Sequence, residues 1–231
     1  MKTTVLSLML IAGLVAGAQA HAAPVTLINA GFEANWTTQL AAGSDGYVTF
    51  NYAPTGPNVG WAFNIGAYGS SGVAASYGTL TAYQGSRFAL LQLGNPADPL
   101  GATGNRISQS FILDAASDVD LSFAMALRPG YQPGQSVAVA LDGQILTFFT
   151  ATPGWSVKNM TLGSLTAGSH VLSFAGTANY ATYGDTTAYL DAVQLDAVPT
   201  PVVAAIPEPE SYALLLAGLG LLGFTVRRRR A

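Results

Sequence analysis

Between Pro24 and Ile206 almost no stretch carries helical periodicity. Short alternating or apolar runs recur instead, punctuated by Gly, Pro, Asn and Asp at intervals of roughly ten residues. That cadence confines the chain to antiparallel β structure, because a parallel sheet needs long crossovers and no amphipathic helix separates the runs. Arg106 to Leu113 places Ile107, Gln109 and Phe111 on one face and Ser108, Ser110 and Ile112 on the other. Val119 to Leu127 aims Leu121, Phe123, Met125 and Leu127 one way. Val137 to Leu141 and Gln144 to Phe149 flank Asp142-Gly143, a strong hairpin signal. Further strands are expected at 25–28, 46–50, 60–65, 87–93, 155–162, 170–176 and 188–195. Residues 66–85, rich in Gly, Ser, Ala and Tyr, read as a loop with room for one irregular strand. The pattern describes an all-β sandwich without internal repeats.

Both ends stand outside this pattern. Met1-Lys2 is a short positive segment, Val5 to Val15 is apolar, and Ala18-Gln19-Ala20 is a small-x-small cleavage site, with Ala20-His21-Ala22 as a second option. Residues 1–22 therefore read as a secretory signal peptide; an uncleaved anchor would need a longer apolar run. The sandwich is expected over 24–197 and a Pro-rich linker over 198–206. At 207–231 the chain reads Pro207-Glu208-Pro209-Glu210-Ser211, then an uncharged run from Tyr212 to Val226, then Arg227, Arg228, Arg229 and Arg230. As a helix the uncharged run would span about 22 Å, against a hydrocarbon core of about 30 Å. Arginine stems extend such a span by snorkelling, and the four arginines should stay cytoplasmic. A transmembrane helix is the expectation; a buried helix of a soluble domain would need a polar face, which this run lacks.

Composition removes whole classes of function. The chain has no cysteine, which excludes thiol nucleophiles, thiolate metal sites and disulfides. Its exported part carries four cations, Arg87, Arg106, Arg128 and Lys158, against ten acids. Nucleic-acid binding needs clustered cations and is not expected.

The tail resembles the PEP-CTERM sorting signal of Gram-negative bacteria. The resemblance rests on Pro207-Glu208-Pro209, the Gly-rich apolar run and the terminal arginines, in that order. It implies recognition by an exosortase-type membrane peptidase, a membrane-anchored precursor, and residence at the surface or in the extracellular matrix of an exopolysaccharide-making cell. The exported part resembles carbohydrate-binding-module and galactose-binding-like jelly rolls. The matching pieces are Asn29-Ala30-Gly31-Phe32-Glu33, Gly60-Trp61, Gln84-Gly85-Ser86-Arg87-Phe88-Ala89, Ile107-Ser108-Gln109 and Tyr189 to Leu195. This implies a jelly-roll form of the sandwich. Ala192 departs from the pattern, since many members carry an acid there.

Three constellations are candidates for chemistry. Glu33 and Asp191 would meet if the first and last strands lie side by side, and two carboxylates plus carbonyls suit a structural Ca2+. The alternative is a pair of separate turn acids. Asp114, Asp118 and Asp120 read as a solvated turn at a strand entrance. Tyr68, Tyr77 and Tyr83 lie in or beside the 66–85 loop, and Tyr180 and Tyr183 precede the last strand. Their amphipathic faces suit sugar rings; the alternative is that they coat exposed strands. Trp36, Trp61 and Trp155 read as core. No Gly-x-Ser-x-Gly elbow surrounds a serine, and His170 reads as a turn histidine. The expectation is a non-catalytic exported protein associating with exopolysaccharide or mediating adhesion. The alternative is a secreted carbohydrate-active enzyme or a dedicated module for one glycan.

Overall fold

The computed structural model describes residues 21–34, 41–42, 48–77, 79–130, 134–201 and 209–229. The chain forms two compact units, Met1–Thr200 and Pro201–Ala231. Among its described residues the first holds fourteen strands and one short helix in the order β1 (Ala23–Val25), β2 (Ala41–Ala42), β3 (Val48–Tyr52), β4 (Ala62–Asn64), β5 (Gly69–Tyr77), β6 (Leu80–Thr81), β7 (Phe88–Leu93), β8 (Arg106–Leu113), β9 (Ser117–Leu127), β10 (Ser136–Leu141), β11 (Gln144–Thr150), β12 (Ser156–Leu165), β13 (Gly168–Gly176), α1 (Tyr180–Tyr183) and β14 (Thr187–Pro199). The second holds α2 (Pro209–Arg228).

Among the described residues the strands pair antiparallel throughout both sheets. The larger sheet runs β12-β9-β14-β7-β5-β3-β2, with β1 added beside β14 and β6 beside β5. The smaller runs β11-β10-β13-β8-β4. Large apolar residues at every second position of β9 (Val119, Leu121, Phe123, Met125 and Leu127) are buried against Ile107, Phe111, Leu172, Phe174, Val137 and Val139 of the smaller sheet. Each such side chain contributes roughly 1.5–3 kcal/mol when fully buried. Trp61 joins this core: its ring lies 5.1 Å from Phe32, and its indole N–H donates to Asn29 O at 3.0 Å. The jelly-roll sandwich expected from the sequence is present, with β8, β9 and the Asp142-Gly143 hairpin close to their expected bounds.

Several expectations need correction. Residues 66–85 hold more strand than expected: within them β5 spans Gly69–Tyr77, hydrogen-bonded between β3 and β7, and β6 pairs beside it, while 66–68 and 82–85 remain turn and loop. The residues of β5 are small because neighbouring backbone leaves no room. A Cβ on Gly72 would stand 2.2 Å from Asn51 O, and one on Gly69 2.4 Å from Gln92 O. Tyr77 therefore lies in a strand. Asp114 lies in the bend before β9, while Asp118 and Asp120 fall in the opening residues of the strand itself, exposed on one face. The last strand continues through Pro199, bent by an irregularity between Asp191 and Gln194 where Ala192 takes φ 49°.

Two buried amides, unforeseen from sequence, tie the sheets together. Asn105 donates to Ser70 O and Gln92 O and accepts from Gly176 N. Gln135 donates to Leu93 O and accepts from Ala178 N.

Helix α2 forms where the tail was expected to be helical, but among the described residues no helix is long and apolar enough to cross a membrane. The reason is the uncharged run itself. It stops at Val226, and Arg227 and Arg228 occupy the last turn. Residues 1–20 of the expected signal peptide, Trp36, Pro207, Glu208 and Arg230 fall outside the described residues.

Candidate functional site

The pairing of β1 with β14 brings residues 29–34 beside the closing strand, and Val193 N donates to Ala30 O at 3.1 Å. Asn29 (φ 55°) and Phe32 (φ 61°) turn the chain sharply. The Asn29 side chain locks that turn by accepting from Ala34 N at 2.8 Å and donating to Val59 O at 3.0 Å. Phe32 enters the core and Glu33 reaches towards residues 84–87. Glu33 Oε1 accepts from Ser86 N (2.9 Å) and Arg87 N (2.8 Å), and Oε2 from Ser86 Oγ (2.7 Å). Gly85 (φ 70°) must be glycine here, since a Cβ would lie 2.5 Å from Glu33 Oε1.

Asp191 is fully buried and accepts from Gln84 N (2.9 Å), Ala192 N (2.6 Å) and Tyr83 N. Burial, with the Glu33 charge adding to it, pushes its carboxyl up to about 6 against those hydrogen bonds. The two acids thus clamp the 83–87 segment from both sides. A cation here would find two carboxylates whose oxygens already accept protein donors. Among the described residues no group of three or more His, Cys, Asp or Glu side chains is assembled for a metal. Backbone carbonyls or water would have to complete six to eight ligands around calcium.

The tyrosines divide into two places. Tyr68 and Tyr180, both more than half exposed, line one open cavity of about 370 Å³ together with Gln92 and Asp185. Tyr180 opens α1, whose first turn is capped by Asn179 Oδ1 accepting from Thr182 N at 2.8 Å. Tyr183 closes the same helix at the border of exposure. Behind the cavity runs a polar chain. Tyr52 donates to Gln92 Oε1 (2.5 Å), Gln92 donates to Asp185 Oδ1 (2.6 Å), and Arg128 donates to Asp185 Oδ2 (2.7 Å). Tyr83 lies elsewhere, tilted over Trp155 at 6.1 Å; Trp155 packs on Phe88 and donates to Thr81 O. From Phe88 to Gln92 is four residues of β7, about 13 Å along the strand. Tyr77 is placed in β5 by its backbone pairing with Val48 and Leu80.

The structure therefore brings Glu33 to Asp191, and Tyr68 to Tyr180, while Tyr83 stands apart. Gln92, Asp185, Arg128 and Tyr52 were not singled out from sequence. The one available signal was Gln92, a polar residue in an otherwise apolar run. Asp185 is the one carboxylate lining the Tyr68–Tyr180 cavity among the described residues, and it is paired with Arg128. Glycoside hydrolysis commonly needs two carboxyls roughly 5–9.5 Å apart.

Residues 205–230 match the PEP-CTERM protein-sorting motif. No curated protein sequence matches the chain. Among solved structures, the chain is similar to the Stig cyclase FisC from Fischerella sp. TAU, at 17% identity and TM-score 0.50 over 78% of this chain and 100% of that one. A CBM61 module in complex with β-1,4-galactotriose aligns at 16% identity and TM-score 0.44 over 74% of this chain and 97% of that one. A CBM4 structure aligns at 13% identity and TM-score 0.45 over 74% and 99%. At these identities the likeness is one of fold.

Proposed function

We propose that this chain is an exported, non-catalytic surface or matrix protein, delivered by its sorting tail, whose sandwich associates with exopolysaccharide. The observation that carries this reading is the pair of exposed rings, Tyr68 and Tyr180, at a cavity floored by Gln92 and Asp185. Aromatic faces cover sugar C–H surfaces, and the amide and carboxylate satisfy hydroxyl edges. Tyr83 with Trp155 offers a second aromatic contact on the same protein. A lone carboxylate already bound to Arg128 favours binding over hydrolysis.

The test is binding of the exported chain to its host's exopolysaccharide, by retention on the immobilised polymer. Saturable binding is expected. Tyr68→Ala with Tyr180→Ala should weaken it by about tenfold or more, since each stacked ring contributes about 0.5–1.5 kcal/mol. Absence of binding in the wild type would leave the sandwich as a protein-contacting unit and overturn the reading.

The PEP-CTERM motif in general implies exosortase processing of a membrane-anchored precursor. For this chain the recognition element is Pro207-Glu208-Pro209, and α2 with its arginines serves as the temporary anchor. Glu208→Ala is expected to leave full-length chain in the membrane fraction; maturation at the wild-type rate would refute that assignment. The same proposal gives Glu33 and Asp191 to a structural Ca2+, supported by the two carboxylates flanking Gly31; burial first, and the Glu33 charge as the smallest contribution, push the Asp191 carboxyl up. A cation would relieve that repulsion.

A further inference from the structure

We infer that His170 is a proton-operated clasp, holding one end of the sandwich's open side closed while the ring is doubly protonated and releasing it when one proton leaves. That side is the one where β11 ends the smaller sheet and β12 ends the larger. They follow one another in the chain, so the 151–155 link joins them at one end. At the other end are two turns, Asp142-Gly143 between β10 and β11, and residues 166–167 between β12 and β13. His170, buried in β13, touches both.

The ring's hydrogen bonds dictate its protonation state. Nδ1 lies 2.8 Å from Asp142 Oδ2, and Nε2 lies 2.9 Å from Thr166 O. A carboxylate and a carbonyl can only accept, so both ring nitrogens must donate, and only the imidazolium has two N–H groups. Asp142 is held in turn: Val171 N donates to its Oδ1 at 2.7 Å, and Asp142 N donates to Val171 O at 2.9 Å. From β8, Phe111 covers the ring at 5.6 Å and brings no charge. Asp142 is the one charged group that acts on the ring.

The bond to Asp142, helped by that to Thr166, raises the His170 value above the ordinary imidazole one against the opposing effect of burial. Partial burial works against the Asp142 charge, but the bonds from His170 and Val171 outweigh it and lower that carboxyl. The signs follow by linkage. His170 contributes fully below its unfolded value, near 6.5, and its contribution is lost as pH rises through the higher folded value. Asp142 contributes above its unfolded value, near 3.9, and its contribution is lost as pH falls through the lower folded one. The clasp thus holds from about pH 4 to beyond about pH 6.5. On the alkaline side the neutral ring keeps one N–H. The charged carboxylate is the stronger acceptor and retains it. Thr166 O then loses its donor, and the turn into β13 is freed from the β10–β11 hairpin.

Hydrogen exchange of the exported chain, read peptide by peptide between about pH 6 and pH 9, tests this. After correction for intrinsic rates, protection of residues 166–170 should fall as pH rises from about 6.5 through the transition and level off above it. His170→Gln should abolish that dependence. Should that variant fail to fold, Asp142→Asn, which keeps an acceptor and removes the charge, should move the transition to lower pH. Wild-type protection that does not change with pH, or a ring found by NMR to carry one N–H at about pH 6, overturns the inference.

Discussion

Gly176→Ala is expected to remove about 3 kcal/mol of stability, at the upper end of what overpacking a core costs. A Cβ there would stand 2.0 Å from Leu93 O and 2.5 Å from Asn105 Oδ1. Across the contact, a Cβ on Gly94 would stand 1.8 Å from Gly176 O. The end of β7 and the end of β13 therefore approach backbone to backbone, and this contact joins the two sheets. Neither partner can yield cheaply, because Leu93 O also accepts from the buried Gln135 and Asn105 Oδ1 accepts from Gly176 N. For a domain of this size the melting temperature should fall by about 6–12 °C. Gly143→Ala is the control. Gly143 has φ 80° but nothing within 4 Å of an added Cβ, so only backbone strain of about 1–2 kcal/mol is expected. Equal losses in the two variants would refute the close-approach argument.

Asp191→Ala should cost about as much, for a different reason. It empties a buried position and strands the N–H groups of Gln84, Ala192 and Tyr83, each about 1–3 kcal/mol if left unmet. A total of about 3 kcal/mol is expected, since residues 83–87 can shift towards water. Asp191→Asn, which keeps one acceptor oxygen, should lose less. The same melts examine the metal assignment. Added calcium should raise the wild-type midpoint and leave Asp191→Ala unmoved. A wild-type midpoint indifferent to calcium and to chelator would remove the ion and keep the hydrogen-bonded clamp.

What could be read from the chain follows from side-chain size and from sequence distance. Strands β8 and β9 were legible because large apolar residues alternate with polar ones, so the period shows. Strand β5 was not, because Gly69 to Ser76 are small on both faces and alternate in nothing visible. Their smallness records the nearness of neighbouring backbones, which a single strand cannot display. The Glu33–Asp191 meeting was legible through the antiparallel pairing of the first and last strands. The Tyr52–Gln92–Asp185–Arg128 chain was not, since its members come from separate elements and each looks ordinary in its own surroundings. Asn105 and Gln135 were hidden likewise, as amides in turn-rich segments that resemble any surface loop.

The position of β14 has a mechanical meaning. The strand begins at Thr187, just after Tyr180 and Asp185, and ends at Pro199, where the chain leaves for the tail. It is flanked by β9 and β7, with β1 added near its far end. While the precursor is still anchored, a polymer held at Tyr68 and Tyr180 and a tether at the tail would pull on opposite ends of this one strand, roughly 40 Å apart. Tension along a strand loads its rungs in shear, all at once, instead of unzipping them singly. Flow acting on a matrix anchored in this way would meet the sandwich along its most resistant direction.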